Sequence, residues 1–121
     1  YDRTNPEATN AVNMAVNHAA VAARAAAEIA VAATATIPQL GFIHEESSLS
    51  FALDIADLFR DEFTLPVAFQ GFKRCLEDPG LVLEREIRKL AGTTMRRQGV
   101  IGSMIDRIKE LIGADDRCGD T

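Results

Sequence analysis

Three side chains have the types and spacing to hold a divalent cation. His44 is followed, after nine residues, by Asp54-Ile55-Ala56-Asp57. Two carboxylates and one imidazole suit Mn²⁺ and, with waters completing the shell, Mg²⁺. Such an ion polarises a phosphate and activates a nucleophile. Asp54 and Asp57 are three residues apart and share one face of a helix, a face that the pattern puts between the inward positions. Like charges this close repel unless a cation offsets them. The loop bearing His44 immediately precedes the helix, so the imidazole can fold back toward the carboxylates. A plainer account is open on the same residues. Both aspartates lie early in a helix opened by Ser48 and Ser50, where the dipole favours acids. Arg60, three residues after Asp57, can pair with it for about 0.3 to 0.5 kcal/mol.

Other chemistries find little support. The sequence has no glycine-rich phosphate loop, no Gly-x-Ser-x-Gly, no Cys-x-x-Cys and no His-Glu-x-x-His. It has no His-Asp dipeptide, which a histidine–aspartate phosphohydrolase requires. Cys75 and Cys118 are too few and too far apart for a disulfide scaffold or a zinc site, and read as reduced thiols of a cytoplasmic protein. His18, among alanines, reads as structural.

The elements that must position these residues are all helical. At 121 residues and 47% hydrophobic the chain is one domain with a real core. Residues 6 to 35 form an alanine-rich segment that nothing breaks, capped by Thr4 or Asn5, with Pro6 in its first turn. It makes a rod of roughly 45 Å, and its small side chains suit a central helix that neighbours approach closely. Arg24 and Glu28 inside its apolar part argue against a membrane span. Residues 34 to 47 read as a connector containing Pro38 and Gly41. A second helix spans 48 to 63, capped by Ser47 or Ser48, with Leu49, Ala52, Leu53, Ala56, Phe59 and Phe63 inward. Thr64 is placed to cap a third helix that has Pro66 in its first turn and carries Val67, Phe69, Phe72 and Leu76. Asp78-Pro79-Gly80 signals a turn. A fourth helix follows over about 81 to 97, with Leu83, Ile87, Leu90 and Ala91 inward. After Gly99 comes a fifth over about 100 to 112, with Ile101, Met104, Ile105, Ile108 and Leu111 inward, ended by Gly113. Residues 114 to 121 read as frayed. The class is all-α, a single domain of five to six helices around a long alanine-rich central one. No secretory leader is legible.

The net charge is −5, but it is unevenly spread. Residues 73 to 109 carry nine basic and five acidic groups, whereas residues 1 to 72 carry three and nine. A basic middle between acidic ends is compatible with one positive face and one acidic pocket, and equally with an ordinary charged helical surface.

The run Gly41-Phe42-Ile43-His44, followed by Leu49-Ser50-Phe51-Ala52-Leu53-Asp54-Ile55-Ala56-Asp57, resembles the signature of the CRISPR-associated integrases, and is most similar to their type I-E branch. The similarity extends upstream to Tyr1-Asp2 and the Asn13 region. Downstream it runs through Pro66-x-Ala68-Phe69 and Arg85-Glu86-Ile87-Arg88, so it covers nearly the whole chain. The resemblance implies a C-terminal helical catalytic domain over residues 1 to 121, without the family's N-terminal β domain. It implies a metal-dependent integrase and endonuclease that inserts spacers into CRISPR arrays, defending prokaryotes against foreign DNA. In that reaction a DNA 3′-hydroxyl attacks a phosphodiester of the array. It implies Mn²⁺ or Mg²⁺ held by a glutamate, a histidine and an aspartate. His44 and Asp57 match the last two, and Asp54 matches a supporting acid. Arg85 and Arg88 match basic positions that face DNA, and Arg60 stands where the family has a lysine. The implied partners are protospacer and repeat DNA, a small second Cas subunit and, in the intact protein, a second copy of the chain. The family's metal-binding glutamate is expected about twenty residues ahead of Tyr1, and Glu7, Glu45 and Glu46 do not match it. The chain by itself is therefore expected to bind metal weakly and to be inactive. The other reading is a non-catalytic helical interaction module whose acidic helix face meets a partner.

Overall fold

A computed structural model describes residues 6–35 and 45–119, with side chains over 9–35 and 50–112. Five helices follow in order: α1 (Pro6–Thr34), α2 (Glu45–Leu58), α3 (Leu65–Glu77), α4 (Leu83–Gln98) and α5 (Val100–Gly119). A π-helical turn (Arg60–Thr64) joins α2 to α3. No described residue is in a strand, so the all-α expectation holds.

Alanine decides the architecture. Ala15, Ala19, Ala23, Ala26, Ala27 and Ala30 recur at helical spacing on α1, and each is at most 1% exposed. With only methyl groups on that stripe, α1 packs against α2, α3, α4 and α5 together, as a central helix. The larger core groups come from the surrounding helices: Ile55, Phe63, Val67, Ile87, Met104 and Ile108 are all buried against this stripe. At the end of α1, Thr34 is buried, and its hydroxyl donates to the Val31 carbonyl at 2.8 Å. A polar group is thereby buried without an unmet hydrogen bond.

The junction of α2 and α3 departs from the sequence expectation. Thr64 does not cap α3: it has helical dihedrals (φ −62°, ψ −52°), makes no capping hydrogen bond and is buried. The chain stays helical through a widened turn. The Phe59 carbonyl accepts from Phe63 at 2.8 Å and from Thr64 at 3.4 Å, and the Leu65 amide reaches back five residues to Arg60. Pro66 supplies the reason. It has no amide to donate, and its ring crowds the carbonyl four residues earlier, so a wider turn continues the helix where an α turn would clash.

The extra residue of that turn changes the helix phase. On α2 the inward face is Ala52, Ile55, Ala56 and Phe59, while Leu53 is 47% exposed. On α3 Val67, Ala68 and Gly71 are buried and Phe72 is half-buried, but Phe69 and Leu76 face outward. α2 also begins at Glu45, ahead of the serines expected to cap it.

Downstream, the Asp78 carboxylate accepts from the Gly80 amide at 3.1 Å, making the expected turn. α4 carries Glu84 and Glu86 in its first turn and Arg96 and Arg97 in its last, the favourable sense for its dipole. Gly99 ends it in the left-handed conformation (φ 61°), which glycine adopts without strain. Ile87 and Ala91 on α4 and Met104 and Ile108 on α5 are buried as expected, whereas Leu111 is exposed. Gly113 does not stop α5, which continues to Gly119. An internal helical glycine costs only about 1 kcal/mol relative to alanine, too little to end a helix by itself.

Candidate functional site

His44 lies outside the described residues. Asp54 and Asp57 are both exposed and stand on the side of α2 opposite Ile55 and Phe59. The expectation that their face lies between the inward positions is therefore corrected, because Ile55 rather than Leu53 turns toward α1. From there the two carboxylates diverge. Asp57 lines a cleft of about 330 Å³ between α1 and α2, and Asp54 does not.

One wall of that cleft is α1, with Asn17, Val21 and Arg24. The other wall has Leu53 and Asp57 from α2, then Arg60 and Thr64 from the π turn. Asp57 is the one acid among its described lining residues. The pairing of Arg60 with Asp57 that the spacing allowed is not formed. The ion pairs among the described residues are Arg74–Glu86, Arg88–Glu84, Lys89–Glu86 and Arg107–Glu110. The cause is local: α2 ends at Leu58, so Arg60 no longer stands one α-helical turn beyond Asp57. The cleft thus holds a carboxylate and two guanidinium groups, each without an ionic partner among the described residues. No three His, Cys, Asp or Glu side chains of the described residues converge to hold a metal ion.

Arg24 and Asn17 are the site residues that sequence reading missed. They lie thirty or more residues from the Asp-Ile-Ala-Asp run, and no motif links them to it. The available signal was the single arginine in an apolar helix, which served only to argue against a membrane span. Among the described residues no helix is long and apolar enough to cross one.

Arg85 and Arg88 lie one turn apart on the exposed side of α4. Arg88 donates to Glu84 at 2.6 Å, an exposed pair worth little in water, while Arg85 takes part in none of the described ion pairs. Lys89 and Arg96 fall on the same stripe by helical spacing, and both are exposed. The stripe is held in place from behind. Glu86 is buried and accepts from Arg74 of α3 at 3.5 Å, with Lys89 of its own helix at 3.7 Å. Cys75, nearby on α3, has its thiol pKa pushed up, first by burial and then by the Glu86 and Asp78 carboxylates. His18 is half-buried and lines a second, mainly apolar cleft of about 520 Å³ between α1 and α4.

Comparison with known proteins gives the lineage. No family model and no solved structure matches the chain, but curated sequences do. It is 32% identical over 114 residues to the CRISPR-associated endonuclease Cas1 of Geobacter sulfurreducens, covering 94% of this chain and 36% of that protein. A second protein of that description, from Thermus thermophilus, is 32% identical over 91% of this chain and 31% of its own length. One from a Clostridium species is 43% identical over 70 residues, 58% of this chain and 23% of its own. The chain spans about a third of the length of the first two relatives. A likeness that takes in nearly the whole chain, on an all-helical fold with the Asp-Ile-Ala-Asp run beside a cleft, assigns it to the CRISPR-associated endonuclease Cas1 family.

Proposed function

We propose that this chain is part of a DNA integrase and endonuclease that inserts spacers into CRISPR arrays, and that the cleft between α1 and α2 is where it handles the phosphodiester. The observation that carries this reading is the Asp57 carboxylate, exposed in a cleft with two arginines and paired with neither. A carboxylate held this way is available to a cation.

The described residues supply a single carboxylate at the cleft, so any metal site there is incomplete without further donors. In the proposed site His44 adds an imidazole, and a glutamate ahead of Tyr1 adds a second carboxylate. Asp54, outside the cleft, acts through its charge. Mn²⁺ or Mg²⁺ bound there would polarise the phosphodiester and favour loss of the attacking hydroxyl's proton. Arg60 neutralises charge on the phosphate, and Arg85 and Arg88 hold the DNA backbone along α4. Partners of the whole protein are protospacer and repeat DNA, a second copy and a small second Cas subunit. The type I-E assignment rests on the motif wording alone.

The test uses a protein of the family's full length. His44→Ala and Asp57→Ala each abolish spacer integration into a plasmid-borne array while circular dichroism and melting temperature stay those of the parent, because both residues are polar and Asp57 is exposed. Normal integration by both variants removes the site assignment and leaves the interaction-module reading.

A further inference from the structure

We propose that Arg24 binds a phosphate of the nucleic-acid substrate, acting with Arg60 as a pair of cations on opposite walls of the Asp57 cleft. The proposal rests on the reading of that cleft as a nucleic-acid site and adds to it a residue on α1.

Arg24 is the one lysine or arginine between residues 6 and 35. It is placed on the single face of α1 that looks into the cleft, one turn from Val21 and two from Asn17. Its natural helical partner, Glu28, is exposed four residues later, yet the two are not among the described ion pairs. Among the described residues Arg24 pairs with neither Glu28 nor Asp57. Arg60 faces it from the π turn, an element found disproportionately at functional sites. The described lining therefore carries two positive charges, one negative charge and the Asn17 amide.

That set of groups selects a phosphate. Arginine presents planar, paired N–H donors that match phosphate oxygens, and it stays charged at any relevant pH. Val21 and Leu53, 56% and 47% exposed, line the same cleft. Exposed apolar side chains in one cleft with two guanidinium groups suit a phosphodiester with its sugar and base rather than a free inorganic ion.

Fluorescence anisotropy of this chain with a labelled single-stranded oligonucleotide, across a series of salt concentrations, tests the assignment without any metal. Arg24→Gln lowers affinity about ten-fold, the scale of one charged hydrogen bond. It also flattens the logarithmic salt slope by about 0.7, one phosphate contact on a single strand. Arg60→Gln does the same, and Arg24→Lys keeps the slope. Asp57→Asn moves the other way and tightens binding, since it removes the one opposing charge. If Arg24→Gln leaves affinity and slope unchanged while Arg85→Gln with Arg88→Gln weakens binding, DNA binding stands and the role of Arg24 is overturned. A slope lost equally in Arg24→Lys and Arg24→Gln also overturns it. No binding by the unsubstituted chain at the lowest salt, or binding indifferent to all four arginines, overturns both this assignment and the reading of the cleft.

Discussion

Gly71 on α3 is buried where that helix meets α4, and a β-carbon built on it would overlap the Ile87 side chain, with Ile87 Cδ1 the nearest atom and Cγ1 3.0 Å away. Gly71→Ala therefore sets two effects against each other. Replacing a helical glycine by alanine gains about 1 kcal/mol of helix propensity. Forcing a methyl into a filled contact costs about 1 to 3 kcal/mol, and Ile87, 1% exposed, has little room to yield. The cost wins, for a net loss of about 1 kcal/mol. Ile87→Val removes the Cδ1 atom that the new methyl meets, at a cost of about 0.5 to 1.5 kcal/mol by itself. In the double variant the overlap is relieved, so the two changes do not add. The coupling favours the double variant by about 1 kcal/mol, within the range for residues in contact. Urea unfolding followed by circular dichroism on all four proteins measures it. Additive losses, or a Gly71→Ala protein more stable than the parent, would refute the close approach of α3 to α4. The contact matters for function because α4 carries Arg85 and Arg88, and α3 sets how that helix lies against the core.

Two further outcomes rest on single residues. Gly99→Ala places a β-carbon on a left-handed residue (φ 61°) and lowers stability by about 1 kcal/mol, read as a drop in urea midpoint at constant slope; an unchanged midpoint would mean that α4 does not end in that conformation. The raised thiol pKa of Cys75 gives slow alkylation near neutral pH, rising only above the ordinary thiol range, and Glu86→Gln speeds it by removing a nearby negative charge. The sign for stability follows from proton binding: above the ordinary thiol range the unfolded chain gives up this proton before the folded one does. The folded state then holds more protons, and stability falls as pH rises through that window. A stability that climbs there would contradict the burial of the thiol.

Two groups of arginines and carboxylates contrast. Glu86 is buried and shared by Arg74 and Lys89, and this arrangement ties α3 to α4. Asp57, Arg24 and Arg60 line one cleft and form no ion pair among the described residues.

Sequence alone determined the class, the five helices and the central place of α1. Those follow from local chemistry: alanine favours helix at every position from Ala19 to Ala27 that it occupies, Gly99 admits the left-handed residue, and Asp78-Pro79-Gly80 makes its turn within four residues. The family is legible for the same reason, since its motif lies in one contiguous stretch. The facing of side chains was legible for Ile87 and Ala91 on α4 and Met104 and Ile108 on α5, and only in part on α2 and α3. On α2 Ile55 rather than Leu53 is buried, and beyond the wider turn at Arg60–Thr64, which offsets the phase of α3 from that of α2, Phe69 and Leu76 are exposed. Nor did spacing reveal that Asp57 would have Arg24 across from it while Asp54 would not. Periodicity describes one helix at a time, and which residues of two helices share a cleft is fixed only when the helices pack. Only the packing of α2 against the alanine stripe of α1 decided that.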